Sequence, residues 1–361
     1  MDNVAPSDVR CPTDAYFCGK SNSASRHAVQ ARHNDKNTPG KHMASLSHES
    51  SQPAAPSFSV CICTRDRPED LARALRSVEA STYPAHQIIV SDDSKEPHTR
   101  AMVTSEFPQV VFLEGPRKGL GANRNSALEA VTGTHVAFID DDAALSPDFL
   151  ARMAQSLQNG GQHPEKLIIT GYELNHGVKI FANGTTFFGY QSRVYRAGDF
   201  QDTVVINSTV FPAWLFKVIR FDEHLVYGYD EVDIMMRATL QGKCAVRSLP
   251  EAFNFHYPSV VNREYYSSFT EASRVYVTHK RYKWFERKRA KAAVFLTLAI
   301  AHNVLHNVRS HGLKGFSRSM RTASLALGYI RRYTPEGLAL QNENNRTRTH
   351  LSSNLGSRPL P

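Results

Sequence analysis

A chain of 361 residues with 41% hydrophobic and 21% charged side chains can bury one large core or two small ones, which excludes a fibrous or wholly disordered class. Its net charge of +9 is uneven: between Arg274 and Arg332 fourteen Lys/Arg accompany one acid, Glu286, so that segment carries +13 and the remainder about −4. The five cysteines, at positions 11, 18, 61, 63 and 244, show no metal-ligand pairing; Cys61 and Cys63 would share one face of a strand, where a disulfide is sterically poor, so free thiols in a reducing compartment are expected.

Residues 1–56 are rich in Ser, Asn, His, Ala and Pro and lack both apolar periodicity and the apolar segment of a signal peptide, so they read as a disordered leader. The stretch FSVCICT (58–64) is then an apolar strand. In RPEDLARALRSVEAS, Leu71, Ala74, Leu75 and Val78 fall at helical spacing, and Pro68, Glu69 and Asp70 suit a first turn. HQIIVSDDS (86–94) is a second strand ending in acids, QVVFLEG a third, and GLGANRNSALEAVTG a helix opened by glycine and closed by Gly133. HVAFIDDD is the fourth strand, ending in Asp140, Asp141 and Asp142.

Such β-α-β-α alternation with continuous apolar strands predicts an α/β fold: a Rossmann-like, mostly parallel sheet flanked by helices. Ligands of such sheets sit beyond the carboxyl ends of the strands, so the tips Thr64-Arg65-Asp66, Asp92-Asp93-Ser94 and Asp140-Asp141-Asp142 should line one crevice. Periodicity weakens after Leu150. KLIITGYEL reads as a strand, INSTVFPAWLFKVIRFDE as a strand leading into a short helix, and the stretch from Tyr227 to Ser259 as an acidic helix start, a helix ending near Gly242, a strand and a loop containing His256. The tail from Gln341 again lacks any pattern.

Three adjacent carboxylates repel one another and need a reason. Asp140 and Asp142, one residue apart at a strand end, can both turn toward a hard cation such as Mg²⁺ or Mn²⁺ that also holds phosphate oxygens. Asp141 should then point away, to a helix start or a backbone donor. The competing reading is that such acids merely open a loop. Asp92 or Asp93 can accept from a base N–H, and Thr64, Arg65 and Arg124 can contact a nucleotide; alternatively Asp92-Asp93-Ser94 is an Asx-turn. Asp230, Glu231 and Asp233 open a helix, either as dipole partners or with one of them as a general base. His256 is a loop or core histidine, or a third metal ligand.

The segments SVCICTRDRPEDLARALRSVEASTYPAHQIIVSDDS, GLGANRNSALEAVTGTHVAFIDDDAALSPDFL and YGYDEVDIMMRA with FHYPS resemble the successive motifs of family 2 glycosyltransferases of the GT-A fold, over about Ser57 to Tyr266. The resemblance implies nucleotide-binding roles for Thr64, Arg65, Asp92, Asp93, Arg124 and Asp140. It implies metal binding by Asp140, Asp142 and His256, with Mn²⁺ or Mg²⁺ on a nucleotide-diphosphate sugar. The family commonly reads Glu-Asp where this chain has Asp230-Glu231, so alignment places the catalytic base at Glu231, with Asp230 the other choice. NREYYSSFTEASRVY resembles a segment of rhamnosyltransferase-like members without its Arg-Asn pair.

These readings divide the chain into a leader (1–56), a catalytic domain (57–270, its nucleotide half 57–142 and acceptor half 143–270), a basic helical region (271–340) and a tail (341–361). The basic region alternates cations, aromatics and two apolar helical stretches. Ala292 to Leu305 is shorter than the ~20 apolar residues of a membrane span and is broken by His302 and Asn303. Amphipathic C-terminal helices on an anionic membrane surface are expected, with Tyr282, Trp284 and Phe285 near the headgroups; a helical pair packed on the catalytic domain is the alternative. No nucleic-acid motif is present. The function expected is metal-dependent inverting transfer of a sugar to a glycan, lipid-linked or small-molecule hydroxyl, in the cytoplasm and peripheral to the inner membrane face. Its rivals are a phosphohydrolase, which would want its acidic pair on the first strand, and a non-catalytic membrane-associated nucleotide-sugar sensor.

Overall fold

A computed structural model describes residues 55–161, 163–196, 198–258 and 263–333. Residues 1–54 of the expected leader, the expected tail, and cysteines 11 and 18 lie outside the described residues. Eleven strands occur in this part: β1 (Phe58–Thr64), β2 (Gln87–Asp92), β3 (Val111–Glu114), β4 (His135–Asp140), β5 (Ala143–Leu145), β6 (Leu167–Asn175), β7 (Val178–Ile180), β8 (Gly184–Thr185), β9 (Gln191–Arg193), β10 (Thr209–Pro212) and β11 (Ala245–His256). Between and after them run α1 (Pro68–Glu79), α2 (His98–Glu106), α3 (Leu120–Leu128), α4 (Phe149–Gln158), α5 (Leu215–Val218), α6 (Asp230–Leu240), α7 (Arg263–Lys280) and α8 (Arg289–Arg332).

The sheet order is β3-β2-β1-β4-β10-β6-β11-β5, with β7 on β6 and β8 paired with β9 apart from it. The first four strands are parallel, and β10 enters antiparallel between β4 and β6. Every residue of β1 is buried, because its two faces meet two different cores. Phe58, Val60 and Ile62 pack with Leu71, Leu75 and Phe149, while Cys61 packs with Phe138, Phe211 and Met235. A strand covered on both faces needs apolar residues at successive positions, which is why its sequence shows no alternation.

Three expectations are corrected. The helix from Gly119 stops at Leu128 rather than at Gly133; Gly133 lies in the following turn, where a Cβ would come within 2.8 Å of the Ser57 carbonyl oxygen. His256 is the last residue of β11 rather than part of a loop. Tyr282, expected among headgroups, is buried: a π-helical turn over Arg281–Phe285 turns it inward between Phe187 and Phe295, at ring distances of 5.9 and 5.5 Å.

A third core joins α7 to α8 through Ala272, Tyr276, Phe295, Ala299, Ala326 and Tyr329. α8 reverses at Gly312, whose φ of 57° is left-handed and suits glycine. Its two legs touch, since Asn307 Nδ2 donates to Ser319 Oγ at 3.0 Å and a Cβ on Gly315 would run into the Asn307 carbonyl. No helix among the described residues is long and apolar enough to cross a membrane.

Candidate active site

The carboxyl ends of β1, β2 and β4 come together because these strands are neighbours in one parallel register, in which Thr64 lies beside Asp92 and Cys63 beside Asp140. Thr64 is buried and its hydroxyl donates to Asp141 Oδ2 at 2.8 Å. Arg67 reaches the same place, 3.1 Å from Asp141 Oδ1 and 3.2 Å from Asp142 Oδ2. Asp141 is turned into the protein and onto side chains rather than to a helix start or backbone donor, and it shares the Arg67 guanidinium with Asp142. Burial pushes its carboxyl up to about 7 against the pull of Arg67 and Thr64. Arg65 faces solvent, its side chain 63% exposed and 3.5 Å from Asp66. The sequence points to Arg65, but Arg67, two residues further along the same loop, is the cation that reaches the carboxylates.

At the end of β2, Asp92 Oδ1 accepts the Ser94 N–H at 2.8 Å and also the Ser94 hydroxyl, the bond of an Asx-turn. Asp93 Oδ1 accepts the Arg117 N–H at 2.7 Å, and burial raises its carboxyl above the usual range. Gly115 makes this approach possible, because a Cβ there would overlap Asp93 and Asn123.

Arg124 occupies the centre. It is almost fully buried on α3, with Nη2 2.9 Å from Asp140 Oδ1 and Nη1 bonded to Asp230 Oδ2. One guanidinium thus ties the end of β4 to the first residue of α6. The next residue, Glu231, is partly buried and accepts from Gln191 Nε2 at 2.8 Å. Burial raises its carboxyl above the ordinary value, while the Gln191 bond and Arg124 oppose the shift. Asp233, also in this acidic turn, is fully buried and paired with Arg237 and Lys280, so it takes no part in the crevice.

On the other side of Asp140, the backbone N–H is held by Asn207 Oδ1 at 2.8 Å, and Asn207 Nδ2 donates to Glu173 at 3.2 Å. Glu173 lies 2.9 Å from His256 Nδ1, and His256 Nε2 lies 3.5 Å from Asp142 Oδ1. Burial disfavours the charged imidazole, but the bonds to Asp142 and Glu173 outweigh it and raise His256 to about 10. A carboxylate fixing Nδ1 leaves Nε2 to face Asp142, the orientation of a metal-ligating histidine. Asp142 and His256 are therefore a fitting pair of donors, although no three His, Cys, Asp or Glu side chains among the described residues close on one point. Glu173, Asn207 and Gln191 are not legible in the sequence: Glu173 lies within β6 itself, Gln191 and Asn207 lie in the weakly patterned stretch between β6 and α6, and all three act only through the fold.

Residues 59–202 match the family described as Glycosyl transferase family 2. The chain is 35% identical to the succinoglycan biosynthesis protein ExoM of Rhizobium meliloti over 107 residues, which cover 28% of this chain and about a third (34%) of ExoM. It is 24% identical over 277 residues to WcaA of Escherichia coli, named as a glycosyl transferase of colanic acid biosynthesis, covering 69% of this chain and 95% of that one. A solved structure titled GalNAc-T7 with UDP, GalNAc and Mn2+ superposes with a TM-score of 0.51 at 12% identity, covering 72% of this chain and 59% of the other. The fold is the GT-A arrangement expected from the sequence.

Proposed function

We propose that this chain, which carries a family 2 glycosyltransferase domain over residues 59–202, transfers a sugar from a nucleotide-diphosphate donor to an acceptor hydroxyl with inversion. The observation that carries this reading is the Arg124 bridge: it holds Asp140, on the donor side of the crevice, against α6, which presents Glu231. That bridge supports a donor and a general base facing each other across one gap, as a single in-line displacement requires.

Thr64, Arg65, Asp92 and Asp93 surround the nucleoside. Asp140, Asp142 and His256 would hold Mn²⁺ or Mg²⁺, with Glu173 orienting the imidazole; His256 must shed its proton to do so. When bound, that ion neutralises charge on the departing diphosphate. Asp230 is committed to Arg124, so it acts as a positioning residue, and Glu231 is the base that takes the acceptor proton. Desolvation makes Glu231 a stronger base than a free carboxylate. Attack from the side of Glu231, opposite the leaving diphosphate, inverts the anomeric carbon. The likeness to ExoM and WcaA, named for succinoglycan and colanic acid biosynthesis, supports an acceptor in cell-surface polysaccharide assembly; the cation-bordered apolar face of α8 supports a place for the enzyme on the cytoplasmic membrane face.

Nucleotide-sugars screened by thermal shift with Mn²⁺ identify the donor, since a bound ligand stabilises the fold. Its turnover to water or acceptor then tests the roles. Glu231→Gln should lower kcat by roughly 10²- to 10⁴-fold with donor affinity retained. Full turnover in Glu231→Gln alongside loss in Asp230→Asn would reverse the assignment.

A further inference from the structure

We infer that the turn between α7 and α8 holds a second ligand site, for a phosphate-bearing anion. A cavity of about 480 Å³ there is lined by Gln241, Lys283, Trp284, Phe285, Arg287, Arg289 and Tyr333. Three of these seven side chains are cations, three are aromatic and none is acidic.

Among the described residues the charge is uncompensated, for a specific reason. Glu286, the one acid of the basic segment, is taken up by Arg281 at 2.9 Å, Lys291 at 3.0 Å and Lys288 at 3.4 Å. Among the described residues Lys283, Arg287 and Arg289 have no carboxylate partner; Lys283 lies only over the Trp284 ring, 4.9 Å from its centroid. Arg287 keeps a left-handed backbone, φ 56°, an unusual state for a non-glycine residue. That turn brings Arg287 and Arg289 to one cavity from either side of Lys288. The first turn of α8, where Arg289 lies, adds partial positive charge of its own. Cations concentrated in a concave, aromatic-walled space suit a compact multivalent anion better than a flat surface does. This site stands apart from the crevice and does not rest on the transfer reading.

Phosphate can arrive as a free ester or as a lipid headgroup, and two probes separate these sources. The first is sn-glycerol 3-phosphate titrated onto the full chain by ³¹P NMR; the second is sedimentation with phosphatidylcholine vesicles containing phosphatidic acid. The variant K283Q/R287Q/R289Q should lose at least about tenfold in affinity, since each engaged cation makes a charge-assisted contact. R309Q/K314Q/R321Q removes the same charge elsewhere on α8 and should stay within about twofold for the soluble ester. Should the triple variant fold poorly, Arg289→Glu alone, at an exposed position, should shift binding in the same direction. Site-dependent binding of the soluble ester assigns the site to free phosphates. Site-dependent binding of the vesicles alone assigns it to a lipid headgroup. Equal losses in the two triple variants, unaltered binding in both, or no binding of either probe overturns the site.

Discussion

Glu231 lies where five influences meet. Burial raises its carboxyl and Asp140 on β4 adds to the rise, while Gln191 on β9, its own backbone N–H and Arg124 on α3 lower it. The sign of the pH effects follows. A base with a raised pKa should place the acid limb of kcat/KM above the ordinary glutamate value of about 4.3. Gln191→Leu removes a hydrogen bond to the charged form and should move that limb to higher pH. Stability responds too: the folded state holds this proton more tightly than the unfolded one, so the contribution of Glu231 is fully present below about 4.3 and is lost as pH rises through the raised value. Glu231→Gln should flatten that slope in a series of melting temperatures. An acid limb unmoved in Gln191→Leu would show that the contact does not tune the base. Residues of this kind expose the limit of reading by motif. The acids themselves are legible, because a carboxylate at the end of an apolar strand is conspicuous in sequence. Their partners Gln191, Glu173 and Arg67 are ordinary polar residues whose meaning comes only from what the fold sets beside them.

At the level of elements, α6 is held from behind as well as in front. Lys280, the last residue of α7, is fully buried with Nζ 2.6 Å from both Asp222 and Asp233, and Asp222 also accepts from the Tyr276 hydroxyl at 2.6 Å. Asp233 follows Glu231 by two residues, so this buried network sets the seat of the helix that presents the base. Removing the cation leaves two carboxylates buried with less compensation. Lys280→Met should cost about 3 kcal/mol in urea unfolding, the low end for a broken buried pair because Arg237, Tyr276 and His224 remain. A loss under about 1 kcal/mol would mean that the network is not structurally significant. In the sequence Lys280 looked like one more surface charge of a basic tail, and the count of fourteen cations concealed that Arg274 and Lys280 are interior. The β-α-β-α half was readable because buried parallel strands write themselves as continuous apolar runs. By contrast β10 is four residues long and runs antiparallel, and β11 is interrupted by a bulge between Ser248 and Phe253, so neither produces a clean period.

For the whole molecule, the question is what the α8 hairpin does with the faces it does not pack. Its inner faces hold Ala292, Phe295, Ala299, Ala326 and Tyr329 against α7. Outward it presents Val294, Leu298, Leu305 and Val308 on one leg, and Leu313, Phe316 and Met320 from the bend onward, with Leu313 91% exposed. The spacings of three, four and seven residues keep each set on one helical face. No acid occurs between Arg287 and Tyr333, so these apolar stripes are bordered by cations alone. An anionic bilayer matches both features, taking the leucines and phenylalanine into its boundary and the Lys/Arg against its headgroups. The helices thus pack on the rest of the protein by one face, the alternative expected from the sequence, and we propose that the face left exposed is kept for a membrane. The test is L305S/L313S/F316S. As exposed residues they should change stability by no more than about 0.5 kcal/mol each. If each side chain contributes about 1 kcal/mol on partial immersion, sedimentation with anionic vesicles should weaken roughly 100-fold. Salt discriminates the two contributions, because ~1 M ionic strength screens the cations at about 3 Å but leaves apolar insertion in place. The serine variant should therefore remain defective relative to the parent at high salt, and undiminished vesicle binding by that variant would leave charge as the sole attraction and remove the hairpin from the membrane.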